Sequence, residues 1–269
     1  MARHRLTRLA AGLMACALAP ALAAAQSQSN RNVSCTAPKE LTRLTHPLPR
    51  TAQRLANAQP LTIVAIGSSS TFGAGASSRE KSYPSQLQTY LQARFPHSRI
   101  TVINRGVNGE EAREMLARFG DSVVKQNPDL VIWQVGTNSV LRDRDIMPTS
   151  RLISQGVAQL KALGVDVVMI DPQYAPRVLA KPDAQHMVDV ISAAAKQADV
   201  DLVQRFDIMR YWYDHEHMQF ADFISPDNLH MNDWSYACLA RLIGGSISEA
   251  AQRNIAAAQV HASVHAVTP

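Results

Sequence analysis

Apolar residues along this chain gather in short unbroken runs that end in glycine, serine or asparagine. Each run is followed by a longer stretch with apolar residues three and four apart. The runs are Leu61–Ile66, Leu130–Val135, Val165–Ile170 and the short Val200–Val203, while Arg99–Asn104 alternates instead. They read as strands, and a strand covered on both faces has no polar side to show. The longer stretches read as helices. Tyr83–Phe95 sets Leu87, Tyr90, Leu91 and Phe95 at helical spacing, Glu110–Gln126 opens on acids that suit a helix dipole, and Thr149–Leu163 stops at Gly164. Asp183–Ala198 follows, then the aromatic and less regular Phe206–Phe220, then a last helix over Asp233–Ala251 capped by Asp233. Strands alternating with helices of this length predict parallel βαβ units. The fold class is α/β: doubly wound, with a mostly parallel five-stranded sheet and helices on both faces.

The two ends depart from this rhythm. Arg3, Arg5 and Arg8 precede an Ala/Leu-rich run that closes on Ala23-Ala24-Ala25, the three-part pattern of a secretory signal over residues 1–25, cleaved after Ala25 or Ala23. Leu13-Met14-Ala15-Cys16 offers a competing lipoprotein reading with Cys16 acylated, but Met14 is unusual there and apolar residues continue beyond the cysteine. The expected address is therefore periplasmic or secreted. Residues 26–60, with Pro38, Pro47, Pro49 and Pro60, read as an amino-terminal arm on the surface, residues 61–253 as the domain, and residues 254–269 as a flexible tail.

Composition changes the picture at two points. Of 27 Lys and Arg against 22 Asp and Glu, three arginines belong to the leader, so the remainder is only slightly basic and carries no block that suggests nucleic acid. No later apolar run is long enough to span a bilayer. With Cys16 in the leader, Cys35 and Cys238 remain as an even pair for an oxidising compartment. A bridge between them would close about 200 residues, worth roughly 5 kcal/mol at most in the chain-entropy model. Two free thiols are the alternative.

Candidate chemistry sits in the loops. Leu61–Ile66 breaks into Gly67, three serines, Thr71, and then Gly73 and Gly75, a turn able to present a side chain at the carboxyl end of a buried strand. In open parallel sheets that edge is where ligands bind. The loops after the second and third strands hold Gly106 and Asn138, and the loop before the last helix holds Asp227 and His230. A lone Asp-x-x-His or a Ser/Gly turn is also ordinary loop sequence, and periodicity alone does not bring these residues together.

Taken in order, the loops resemble the blocks of the SGNH (GDSL-type) hydrolases. Gly67-Ser68-Ser69-Ser70-Thr71-Phe72-Gly73 is similar to the GDSL block, and Asn104-Arg105-Gly106-Val107-Asn108-Gly109 to the glycine block. Gly136-Thr137-Asn138 is similar to the GxN block, and Ser225-Pro226-Asp227-Asn228-Leu229-His230 to the closing DxxH block. The resemblance implies a flavodoxin-like three-layer α/β/α fold and a serine esterase with no cofactor. In it Ser69 is the nucleophile, His230 the base and Asp227 its orienting acid. It further implies an oxyanion hole made by the Ser69 and Gly106 N–H groups and the Asn138 side-chain amide. Ser68 stands where the family usually has Asp, and Ser139 where it often has Asp. The substrate implied is a carboxylic ester, with a short-chain O-acetyl ester on an acylated glycan favoured by the export signal. An acyltransferase using a sugar hydroxyl, a lysophospholipase- or thioesterase-like lipid hydrolase, and a glycan-binding protein without activity are the alternatives.

Two further segments bear on specificity. Gln173, Tyr174 and Arg177, in the loop after the fourth strand, are candidate substrate contacts at the rim; a proline-stiffened loop is the plainer reading. Asp214-His215-Glu216-His217 suggests a metal only superficially, because histidines two apart diverge on a helix and the proposed chemistry needs no metal. Arg142–Asp145 reads as a solvated, salt-bridged turn.

Overall fold

The computed structural model of the protein describes residues 34–265, with side chains to residue 257. The expected export signal, including Cys16, lies outside the described residues. Five strands form one sheet: β1 (Leu61–Gly67), β2 (Ile100–Gly106), β3 (Leu130–Gln134), β4 (Asp166–Ile170) and β5 (Asp201–Val203). Every pairing is parallel and the order is β2-β1-β3-β4-β5. The chain winds from β1 outward to β2, then returns across to β3 on the other side of β1. The loops leaving β1 and β3 therefore diverge, and a crevice opens at their carboxyl ends.

The continuous apolar runs are explained by cover on both faces. β3 and β4 are buried at every position and β1 at all but Thr62, whereas edge strand β2 is buried only at Ile100. Trp133 of β3 shows how tightly a helix closes on the sheet. A Cβ added at Gly156, in the helix Ile146–Ala162, would lie 2.3 Å from its ring. Phe119 meets the same indole edge-on at 5.5 Å.

The amino-terminal segment does not lie on the surface as its prolines suggested. It forms the helices Lys39–Thr42 and Pro49–Ala56, and it buries Leu44, Leu48, Thr51, Ala52 and Leu55. Each fully buried leucine contributes about 2 kcal/mol. Three aspartates at or next to strand starts anchor it. Asp201 accepts from the Thr45 and His46 N–H groups, Asp166 from the Thr51 N–H at 2.8 Å, and Asp129 from Arg54 Nε at 2.9 Å. This segment thus closes the amino ends of β3, β4 and β5, opposite the crevice, and the packed unit begins at Cys35 rather than at Leu61. The Cys35 and Cys238 sulfurs are bonded, with Cα atoms 5.4 Å apart.

Three helix expectations need correcting. Glu110–Gln126 is not one helix but Ala112–Ala117, Phe119–Ser122 and a 3-10 turn. The break falls at Arg118, whose guanidinium turns inward to the Gly67 and Arg105 carbonyls at 3.2 and 2.9 Å. Phe206–Phe220 ends as a helix at Asp214, and His217 takes a left-handed conformation. The last helix does not give way to a loose tail but runs from Asp233 to His265. Asp233 itself ties that helix to the loop after the first block by accepting from the Ser77 N–H at 2.7 Å and its hydroxyl at 2.5 Å.

Candidate active site

The serine turn is built by what cannot fit inside it. A Cβ at Gly67 would meet Thr71 Oγ1 at 2.2 Å and Gln134 Oε1 at 2.8 Å, so β1 must end on glycine before the one-turn helix Ser69–Phe72. Gly73, at φ +105°, closes that turn by donating to the Ser69 carbonyl at 2.9 Å. The three serines then separate by environment. Ser68 is buried, and both its N–H and its hydroxyl donate to Gln134 Oε1, at 2.9 and 3.0 Å. Ser70 is buried and donates to Gln173 Oε1 at 3.4 Å. Ser69 alone is partly open to solvent.

The second half of the site is a tight loop between an isolated bridge, Ile224 to Met231. Asn228 adopts φ 59°, a left-handed conformation that asparagine tolerates better than most residues. The turn this makes lets Asp227 Oδ1 accept from the Leu229 and His230 N–H groups, both at 2.9 Å, and from the Ser225 hydroxyl at 2.8 Å. Asp227 Oδ2 faces His230 Nδ1 at 2.5 Å, and His230 Nε2 faces Ser69 Oγ at 2.8 Å. A carboxylate so engaged only accepts, so Nδ1 carries the proton and Nε2 accepts from the serine hydroxyl. Partial burial alone would raise the Asp227 carboxyl. The bonds from the His230 ring and N–H, the Ser225 hydroxyl and the Leu229 N–H instead hold it well below the usual carboxylate range. Gly75, at φ +86°, packs against this loop, for a Cβ there would lie 2.5 Å from the Met231 carbonyl oxygen and 2.7 Å from His230 Cβ. A hydroxyl paired with an imidazole that is itself oriented by a carboxylate can lose its proton as it attacks.

The glycine block sits differently from its expected role. β2 extends through Gly106, which pairs with Gly67, and the Gly106 N–H donates to Asn104 Oδ1 at 2.9 Å. That donor is engaged. Glycine is needed at 106 for space, since a Cβ would meet the Phe72 backbone nitrogen at 2.0 Å. Three residues on, Gly109 takes φ +80°, and neither its N–H nor that of Ser69 has a hydrogen-bond partner among the described residues. Asn138 Nδ2 donates to the carbonyl of Glu110, the neighbour of Gly109, at 2.9 Å, which fixes the amide and leaves its second N–H. The loop itself is staked by Arg118, bonded to the Glu110 carboxylate at 2.7 and 2.9 Å. Glu111, which burial alone would raise, is held below the ordinary range by Arg142 and Arg144. The expected salt-bridged turn over 142–145 is thus fastened to this loop.

The candidate substrate contacts divide. Gln173 is wholly buried and cannot touch a bound substrate from the rim. Tyr174 is half-buried, packed edge-on to Phe206 at 5.1 Å and stacked with Phe220 at 5.9 Å. Arg177 is exposed, and its N–H donates to the Asn228 carbonyl at 3.1 Å. Among the described residues no three His, Cys, Asp or Glu side chains come together as a metal site. Sequence reasoning passed over Gln134, Arg118 and Arg205. All three are long polar side chains that bond inward, and no local pattern distinguishes such residues from surface ones.

A parallel sheet of this order, with serine, imidazole and carboxylate at its carboxyl edge, is the arrangement of the SGNH-type hydrolases. Residues 34–253 match the sequence model of the non-GDSL lipase-like family, and the chain belongs to that family. The name suits a chain with Gly-Ser-Ser-Ser where others have Gly-Asp-Ser-Leu. An acetylxylan esterase of Geobacillus stearothermophilus is 36% identical over 64 residues, 24% of this chain and 29% of that protein. An arylesterase of Vibrio mimicus is 29% identical over 128 residues, 47% of this chain and 62% of that one. The chain thus aligns with less than two thirds of either relative. Among solved structures, a two-domain esterase active on acetylated mannans superposes with a TM-score of 0.66 at 20% identity, over 78% of this chain and 56% of that chain. A mutant acetyl-xylooligosaccharide esterase of Geobacillus superposes at 0.61 and 21% identity, over 70% and 94%. At such identities these likenesses speak for the fold.

Proposed function

We propose that the protein is an exported serine esterase that removes short acyl groups, acetyl foremost, from acylated glycans. The observation that carries this reading is the unbroken chain of contacts from Ser69 Oγ through the His230 ring to Asp227, at 2.8 and 2.5 Å. Ser69 Oγ attacks the ester carbonyl as His230 Nε2 takes its proton. The protonated imidazole, stabilised by Asp227, then protonates the leaving alcohol. Water, deprotonated by the same nitrogen, attacks the acyl-Ser69 ester and releases the acid. The oxyanion in both steps lies against the N–H groups of Ser69 and Gly109 and the second N–H of the Asn138 amide. Gly109 replaces Gly106 in this assignment because its donor is the one without a partner. Each well-aimed donor is worth about 3 kcal/mol of transition-state stabilisation.

The acetyl preference and the glycan are supported by the acetylxylan esterase relative and the acetylated-mannan esterase neighbour. The export expectation rests on the Arg-led, Ala-rich first 25 residues. The test is hydrolysis of p-nitrophenyl acetate, butyrate and octanoate, and of acetylated xylan and mannan, by the wild-type chain and by Ser69→Ala. Turnover that falls with acyl length and vanishes in the variant supports the reading. Equal rates in both chains, or a preference for octanoate, would overturn it. Ester product on a sugar acceptor in place of free acetate would identify the acyltransferase instead.

A further inference from the structure

We infer that Gln173 is a positioning residue whose side chain holds the loops of Ser69, Asn138 and His230 in register with one another. The inference rests on the functional reading above for what those loops do.

Gln173 follows β4 at the same sheet edge as the crevice and is wholly buried. Its carbonyl oxygen accepts from the Thr137 hydroxyl at 2.9 Å and, more weakly, from the Ser70 hydroxyl at 3.4 Å. Its amide nitrogen donates to the Leu229 carbonyl at 3.2 Å. Each of these partners is one residue from a reacting group: Ser70 follows Ser69, Thr137 precedes Asn138, and Leu229 precedes His230. No other side chain among the described residues is bonded to all three loops.

The orientation of the amide is fixed chemically. Arg205, also wholly buried, points Nη2 at Gln173 Oε1 at 3.0 Å. A guanidinium has only donors, so the atom facing it must be the oxygen, and the NH2 must face Leu229. Arg205 is in turn fastened to the β4 end by two bonds to the Asp171 carbonyl, from Nε at 2.9 Å and Nη2 at 2.5 Å. The sheet therefore sets Arg205, Arg205 sets the Gln173 amide, and the amide sets three loops that local sequence leaves independent. A buried amide costs free energy unless its bonds are made, so the loops keep these positions together.

Substitutions separate the contacts. Gln173→Leu keeps the bulk and removes every bond. Gln173→Glu keeps the oxygen toward Arg205 but turns a donor into an acceptor against the Leu229 carbonyl. Thr137→Val removes one donor and keeps the shape. Rates with p-nitrophenyl acetate are measured per active site, counted by fluorophosphonate labelling. Gln173→Leu is expected to lower kcat about a hundredfold, because small misplacements of reacting groups cost that much, with KM within about threefold. Thr137→Val lowers kcat less, and adds nothing when combined with Gln173→Leu because both act through one contact. A Gln173→Leu kcat within about twofold of wild type, or effects of the two changes that multiply, overturns the inference.

If the Gln173→Leu variant does not fold, Thr137→Val and Gln173→Glu decide it. Both must lower kcat with KM kept, and full activity in either overturns the inference. Wild-type chain that neither turns over ester nor labels at Ser69 would sink the functional reading instead. Hydrogen exchange then judges the clamp alone. Faster exchange in residues 69–74, 137–142 and 225–231 together in Gln173→Leu, with the last helix unchanged, supports it. An unchanged rate in any of the three loops overturns it.

Discussion

Single residues here are separated by environment more than by type. Ser68 and Ser69 are chemically identical neighbours, yet one is spent on Gln134 and the other faces His230. Ser69→Ala is accordingly expected to lower kcat by about 10⁴ or more, while Ser68→Ala keeps the nucleophile and costs about 1 kcal/mol of stability. Parallel rate and melting measurements check both, and a Ser68→Ala chain as inactive as Ser69→Ala would reverse the assignment. The two glycines of the second block separate in the same way. Gly106→Ala forces a Cβ onto the Phe72 backbone at 2.0 Å, so its main effect is a large fall in melting temperature. Gly109→Ala meets only the end of the Arg142 side chain, at 3.3 Å, and strains a left-handed residue by about 1–2 kcal/mol. Its larger effect is expected on kcat, since it tilts the N–H proposed for the oxyanion; a Gly109→Ala enzyme of normal kcat would remove Gly109 from that role.

At the scale of elements, the loop after β4 carries a titration that folding itself must handle. Asp171 is wholly buried, and burial pushes its carboxyl up to about 7, against the pull of the Phe206 N–H and the Arg205 charge. One carboxylate oxygen, Oδ2, has no partner among the described residues. The folded chain thus prefers the neutral acid, while the unfolded chain ionises near 3.8. The stability this group contributes is complete below that value and is lost as pH rises through about 7. Asp171→Asn, neutral throughout, should gain on the wild type in melting temperature between pH 4 and 7 and hold that gain above it. Parallel slopes for the two chains would show that Asp171 is ionised in the fold. The helices also show what pattern can and cannot report. The Ala-rich run after residue 254 reads as a flexible tail by pattern, yet its residues are good helix formers and continue the last helix to His265. The break at Arg118 was not, because its cause is a guanidinium reaching the Gly67 and Arg105 carbonyls at the ends of β1 and β2.

For the molecule as a whole, function and anchorage lie at opposite edges of one sheet. The carboxyl edge holds the serine, the imidazole and the donors. The amino edge is closed by residues 39–56, with Asp129, Asp166 and Asp201 as fixing points. The Cys35–Cys238 bond joins that segment to the last helix across 203 residues of sequence. Reduction is expected to lower stability by roughly 5 kcal/mol at most, with kcat per folded molecule unchanged because the bond enters none of the active loops. Thermal melts with and without reductant, beside rates at low temperature, check this. A loss of kcat at full folding would tie the bridge to the site.

The sequence by itself determined the sheet and the order of its chemistry. Apolar runs broken by glycine report burial on two faces, and burial is a local property of each run. It also determined that the serine, glycine and asparagine blocks share an edge, since they fall at strand ends that a parallel sheet brings together, whereas the Asp-x-x-His loop before the last helix was joined to them only by the family resemblance. Tertiary structure decided the rest, because the rest depends on partners distant in the chain. Gly106 is lost as a donor to the Asn104 side chain once β2 pairs to its end, and Gly109 is left with one. Gln173, polar and in a loop, reads as a rim residue until Arg205 turns it inward. Polar side chains are exposed by default, and only a donor or acceptor brought from elsewhere in the fold can offset the cost of burying one.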